Sequence, residues 1–181
     1  MRWHNLLVSM VIAAAGVASQ AQSPTYGLGK APTGEEVRAW DIAVGPEGKE
    51  LPPGQGTAKE GATIYAQQCA GCHGPTGIEG PFDRLVGGQG TLNTSRPVKT
   101  VGSYWPFATT VWDYINRAMP TDRPGSLTPD QVYALTAFLL YRNGIVQESD
   151  VMDAQSLPKV RMPNRDGFVA DPRPDWKNPA R

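Results

Sequence analysis

Three side chains stand together as Cys69-Ala70-Gly71-Cys72-His73, and with His4 they make up every thiol and imidazole of the 181-residue chain. C-x-x-C-H is the attachment pattern of c-type haem: two thiols add to the porphyrin vinyl groups and the adjacent imidazole becomes an axial ligand of the iron. The spacing is mechanical, since one helical turn sets both sulfurs against one porphyrin edge and brings the next residue beneath the metal. Other chemistries compete poorly for these residues. A structural zinc site takes four ligands, and the run offers three. A thioredoxin-type pair opens a helix, whose N-terminus lowers the thiol pKa, whereas this pair closes a helical segment. A plain disulfide would leave His73 without a role. The expectation is one covalently attached haem c, with Cys69 and Cys72 as its anchors and His73 on the iron.

The elements that must position this run are readable on both sides of it. Thr57 is a helix N-cap and Glu60 completes its capping box, starting a helix that runs into Cys69. Gly61 and Tyr65 fall one turn apart on that helix. Downstream, Thr128 before Pro129 starts a second helix and Asn143-Gly144 stops it. The stretch between, with Val132, Tyr133, Leu135, Phe138, Leu139 and Leu140, is apolar on most sides and demands broad burial. Gly61 permits the two helices to cross closely, with Tyr65 stacked on Phe138 or Tyr141.

Here the chain resembles the class I c-type cytochromes, in which a Gly-x-x-x-aromatic-x-x-x-Cys-x-x-Cys-His helix crosses a C-terminal helix; Gly61, Tyr65, Cys69, Cys72 and His73 match residue by residue. The resemblance implies an all-α, small helical haem domain with long loops and extended terminal segments. It also implies a sixth iron ligand from a methionine between the haem motif and the last helix. Met119 occupies that order, which makes His73 and Met119 the expected metal ligands. Met162 also precedes a proline but follows the last helix, and a gap-filling core methionine is the alternative role for either. Second, the class needs a carbonyl acceptor for the other His73 nitrogen. Pro81 or a neighbour is the candidate, with Asp83 nearer the place the family uses.

A closer resemblance runs over most of the chain. Trp40-Asp41-Ile42, Leu51-Pro52-Pro53-Gly54, Gly87-Gly88-Gln89-Gly90-Thr91-Leu92, Arg96 to Pro106 and Met162 to Phe168 are similar to stretches of the cytochrome subunit of the periplasmic sulfur-oxidising (Sox) system. That resemblance implies a periplasmic subunit that accepts electrons from a molybdenum sulfane dehydrogenase related to sulfite oxidases and passes them to a downstream cytochrome or oxidase. Fuller members carry a second haem domain, whereas this chain has one haem motif.

Around the haem, Tyr104, Trp105 and Trp112 are either propionate or edge contacts or ordinary core aromatics. Arg96 and Lys99 either neutralise propionates or are solvated loop charges.

Ahead of all this, Arg2 precedes an apolar run from Leu6 to Val17 with small residues at Ser19 and Ala21, the pattern of an export signal cleaved before Gln22. No later run reaches membrane-spanning length, so a soluble, exported chain is expected. The 17 basic and 17 acidic residues balance, which argues against nucleic-acid binding. The expected organisation is a signal at 1–21, a Gly- and Pro-rich wrapping segment at 22–56 with a short helix capped by Thr33 and Glu36, the haem domain at 57–145, and a Pro-rich extended tail at 146–181. From Leu157 onward the tail carries 6 basic and 3 acidic residues against 10 and 14 for Gln22 to Ser156, a complementarity suited to holding the tail on its own body or on a partner. An electron carrier is the leading function. A free shuttle cytochrome is the alternative, and a haem enzyme with an open sixth site is a further one that lacks a second histidine for acid–base work.

Overall fold

The structure, a computed structural model, describes residues 26–171, so the expected signal segment and its cleavage site lie outside the described residues. Among the described residues it is an all-α architecture with one two-stranded sheet. In chain order the elements are α1 Gly34–Trp40, β1 Gln55–Thr57, α2 Ala58–Gln68, α3 Ala70–His73, α4 Ala108–Ala118, α5 Pro129–Arg142, β2 Val151–Asp153 and a 3-10 turn at Leu157–Lys159. The chain divides into two units, one ending at Trp40 and the other beginning at Asp41.

In the first unit α1 has the expected cap: the Glu36 N–H donates to Thr33 Oγ1 at 3.2 Å and the Thr33 N–H to Glu36 Oε2 at 2.7 Å. None of its residues is buried.

In the second unit α2 and α5 form the central crossing. Both begin with capping boxes, Thr57 with Glu60 and Thr128 with Gln131, which satisfy main-chain N–H groups that the first turn leaves free. Gly61 is where the helices touch: a Cβ there would overlap the Ala134 carbonyl and lie 2.7 Å from Phe138 Cβ. Gly56 of β1 meets the main chain of the same Ala134. One turn past Gly61, the Tyr65 ring stacks on Phe138 at 4.9 Å, which selects Phe138 over the half-exposed Tyr141. At the end of α5, Asn143 does more than stop the helix. Its Nδ2 donates to the Leu85 carbonyl at 3.1 Å and its Oδ1 accepts the Gly87 N–H at 3.0 Å, tying the loop after the haem motif to α5.

Helix α4 was not singled out from the sequence, although Ala108, Val111, Trp112 and Ile115 recur at helical spacing and are all buried. It anchors part of the expected wrapping segment. Asp113 accepts the Val44 N–H at 2.8 Å and the Arg117 Nε–H at 2.8 Å, and Thr109 donates to the Pro46 carbonyl.

Residues 146–162 depart from the expected extended tail, whose last part, 172–181 with Pro172, Pro174 and Pro179, lies outside the described residues. Val151 to Asp153 pairs antiparallel with β1, Met152 opposite Gly56, and Met152, Leu157 and Met162 are buried in the core. The proline count points to extension, but burying apolar side chains such as these is worth roughly 1.5–3 kcal/mol each. Pro158 itself sits in the first turn of the 3-10 helix, where a missing N–H costs nothing.

Candidate functional site

Cys69 caps the C-terminus of α2 and Cys72 and His73 lie in α3, a single turn closed by the Cys72 and His73 N–H groups donating to the Cys69 carbonyl at 3.1 and 2.9 Å. The two thiols are therefore one turn apart, and they are not bonded to each other. Burial, reinforced by the neighbouring Cys72, pushes the Cys69 thiol up to about 11. That is opposite to the shift of a redox-active thiol, so the arrangement does not favour a thioredoxin-type pair. Among the described residues no three His, Cys, Asp or Glu side chains converge as a metal-binding group, which leaves the zinc reading without a ligand set.

The loop after α3 folds back under the imidazole. Phe82 N–H donates to the Cys72 carbonyl at 3.2 Å, Leu85 N–H to the Gly77 carbonyl at 2.8 Å, and the Tyr65 hydroxyl to the Gly74 carbonyl at 2.9 Å. Burial and the adjacent Cys69 push the Tyr65 phenol up to about 12, so it remains a donor at any working pH. This loop brings the Asp83 main-chain carbonyl to 2.8 Å from His73 Nδ1. The acceptor is thus Asp83 and not Pro81, which is exposed. A carbonyl only accepts, so Nδ1 carries the hydrogen and Nε2 is left with the lone pair that a metal takes.

Cys69, Cys72, His73 and Met119 line one cavity of about 660 Å³, whose walls are largely apolar, including Ile115 of α4 and Leu135 and Leu139 of α5. Met119 is the C-cap of α4, so the helix missed in the sequence is the one that carries this side chain to the cavity. Met162 is elsewhere, packed in the core and 1% exposed. Of the expected haem neighbours, Lys99, Tyr104 and Trp105 line the cavity, with Lys99 Nζ 5.0 Å from the Tyr104 ring centre. Trp112 is instead a core residue tilted against Tyr133 at 5.4 Å, and Arg96 is an exposed loop charge that does not reach the lining.

Two thiols one turn apart, an imidazole presenting Nε2, a thioether and an apolar chamber suit a c-type haem, and fold and donor set together define a class I c-type cytochrome domain. The comparisons agree. Residues 56–139 match the family model described as cytochrome C oxidase, cbb3-type, subunit III. A solved structure, described as the crystal structure of the sulfane dehydrogenase SoxCD from Paracoccus pantotrophus, contains a chain 42% identical to this one. The match covers 87% of this chain and 81% of that chain with a TM-score of 0.75. No curated protein gives a significant match. The chain belongs to the family of c-type cytochromes represented in that structure by the cytochrome subunit of SoxCD.

Proposed function

We propose that this protein is a periplasmic monohaem electron carrier, exported by its N-terminal signal, that serves as the cytochrome subunit of a molybdenum sulfane dehydrogenase-type complex. The observation that carries the reading is the shared cavity of Cys69, Cys72, His73 and Met119, joined to the likeness to a SoxCD chain over 87% of the sequence. Cys69 and Cys72 would hold one haem c as thioethers, His73 would ligate the iron through Nε2 and Met119 through its sulfur. The haem, when bound, supplies a one-electron ferric–ferrous couple.

The chain's own groups set the terms of that couple. The Asp83 carbonyl fixes the His73 ring and its tautomer and raises the basicity of the ligating nitrogen. Ile115, Leu135 and Leu139 give the chamber apolar walls. Lys99 stands at the lining as a cation for propionate charge. With His73 and Met119 both held for the iron, a substrate would find no free ligand position there, and the partner would deliver electrons and not a reacting molecule.

Two measurements test this. Haem staining after denaturing electrophoresis should show colour on the protein band, and less or none for Cys69→Ser and Cys72→Ser. The purified holoprotein should then be reduced rapidly by a sulfane-oxidising molybdenum subunit from the same cell, with one electron accepted per chain. Colour lost on denaturation would overturn covalent attachment, and no reduction by that subunit would overturn the partner.

A further inference from the structure

Two residues beyond Met119, the Thr121 hydroxyl lies 3.5 Å from the Met119 sulfur and donates to it. Both residues line the cavity that His73 enters. The turn that places Thr121 is held from two sides. Within the loop the Arg123 N–H donates to the Pro120 carbonyl at 2.9 Å. From outside the loop, Arg123 Nη2 donates to Gln68 Oε1 of α2 at 2.8 Å. The Met119 loop is thereby tied to the helix that bears Cys69.

A thioether sulfur has two lone pairs and is a weak hydrogen-bond acceptor. Resting on the reading that Met119 ligates the iron, we propose that Thr121 is a positioning residue for that ligand: its hydroxyl occupies one sulfur lone pair and so aims the other at the metal. The contact has an electronic consequence as well. A donor on the sulfur withdraws electron density from it, and the loss of donation is felt more by ferric than by ferrous iron. Thr121 therefore favours the reduced state, by the outer-shell route through which hydrogen bonds tune axial ligands.

The test compares holoprotein of Thr121→Val, which keeps the shape and removes the donor, with Thr121→Ser, which keeps the donor. Thr121→Val should shift the far-red sulfur-to-iron charge-transfer band of the ferric protein. It should also raise the ferric-to-ferrous ratio at fixed ambient potential on the order of threefold, the size of a weak hydrogen bond. Thr121→Ser should restore both. A Thr121→Val protein with the parent band and the parent ratio overturns the proposal, as does loss of the band in both variants, since a side chain that keeps the donor would then fail like one that lacks it. Met119→Ala is measured alongside: a band that survives it shows that the ligand reading, and not the Thr121 contact, has failed.

Discussion

Nδ1 of His73 donates to the main-chain carbonyl of Asp83 at 2.8 Å, so the group that orients the His73 imidazole is a peptide and not the carboxylate of the residue that contributes it. A main-chain acceptor survives side-chain replacement. Asp83→Ala should therefore keep the parent absorption spectrum and reduction potential, whereas His73→Ala should give no normal holoprotein. A large change in the spectrum of Asp83→Ala would assign the orienting role to the carboxylate.

Gly61 sits where α2 meets the main chain of α5, and the obstacle to a Cβ is the Ala134 carbonyl and not a side chain that can turn aside. Gly61→Ala should destabilise the protein by roughly 1–3 kcal/mol, the cost of overpacking a filled interface. The midpoint of denaturant unfolding reads this directly. An unchanged midpoint would mean that the helices separate without cost and that the crossing is looser than it stands.

Asp113 supports the segment at Val44 through a buried hydrogen bond and pairs with Arg117. Burial alone would push its carboxyl up, but the Arg117 guanidinium and the Val44 N–H outweigh it and hold the group below the usual 3.8. A pKa depressed in the folded state contributes stability that is present above the unfolded value and is lost as pH falls through the folded one. Asp113→Asn should thus cost roughly 1–3 kcal/mol near neutrality and progressively less below about pH 4, as read from urea midpoints across pH. A penalty that does not shrink in acid would remove the charge from the account.

The segment from 145 to 162 is part of the folded body, because β2 pairs with β1 and Leu157 and Met162 fill the core. Truncation after Gly144 should lower the melting temperature and the yield of holoprotein, as followed by circular dichroism and haem absorbance. A truncated chain with parent stability would return this segment to the role of an accessory tail.

What was legible in the sequence was local. Capping boxes at Thr57 and Thr128, the close crossing at Gly61 and the stack of Tyr65 on Phe138 are each written in residue types a few positions apart, or in a glycine that a neighbouring backbone requires. The parts that escaped depend on groups with no residue signature. The Asp83 carbonyl belongs to the peptide, so no side chain advertises it, and the Thr121 contact depends on how the chain turns after Met119. Helix α4 carries its period in Ala108, Val111, Trp112 and Ile115, but it opens on Phe107 with no side-chain cap, so no residue type marks its start. Prolines from Pro158 onward signal extension, whereas Met152, Leu157 and Met162 are too sparse to show a period before the chain packs them in the core.

Met119 and Met162 each precede a proline, yet they stand in different surroundings: Met119 lines the cavity with Cys69, Cys72 and His73, while Met162 is 1% exposed in the core. Truncating each should fail in a different way. Met119→Ala should abolish the far-red charge-transfer band, lower the reduction potential as the ferrous-stabilising thioether is lost, and open the iron to small ligands such as cyanide or imidazole. Its effect on global stability should be small beside that on the spectrum. Met162→Ala should instead leave the band and potential in place and cost roughly 2–5 kcal/mol of unfolding free energy, the usual penalty for emptying a filled core site. Paired spectra and denaturation curves of the two variants decide the matter. If the band disappears with Met162→Ala and persists with Met119→Ala, the ligand comes from the C-terminal segment, and the cavity geometry around Met119 has no bearing on the iron.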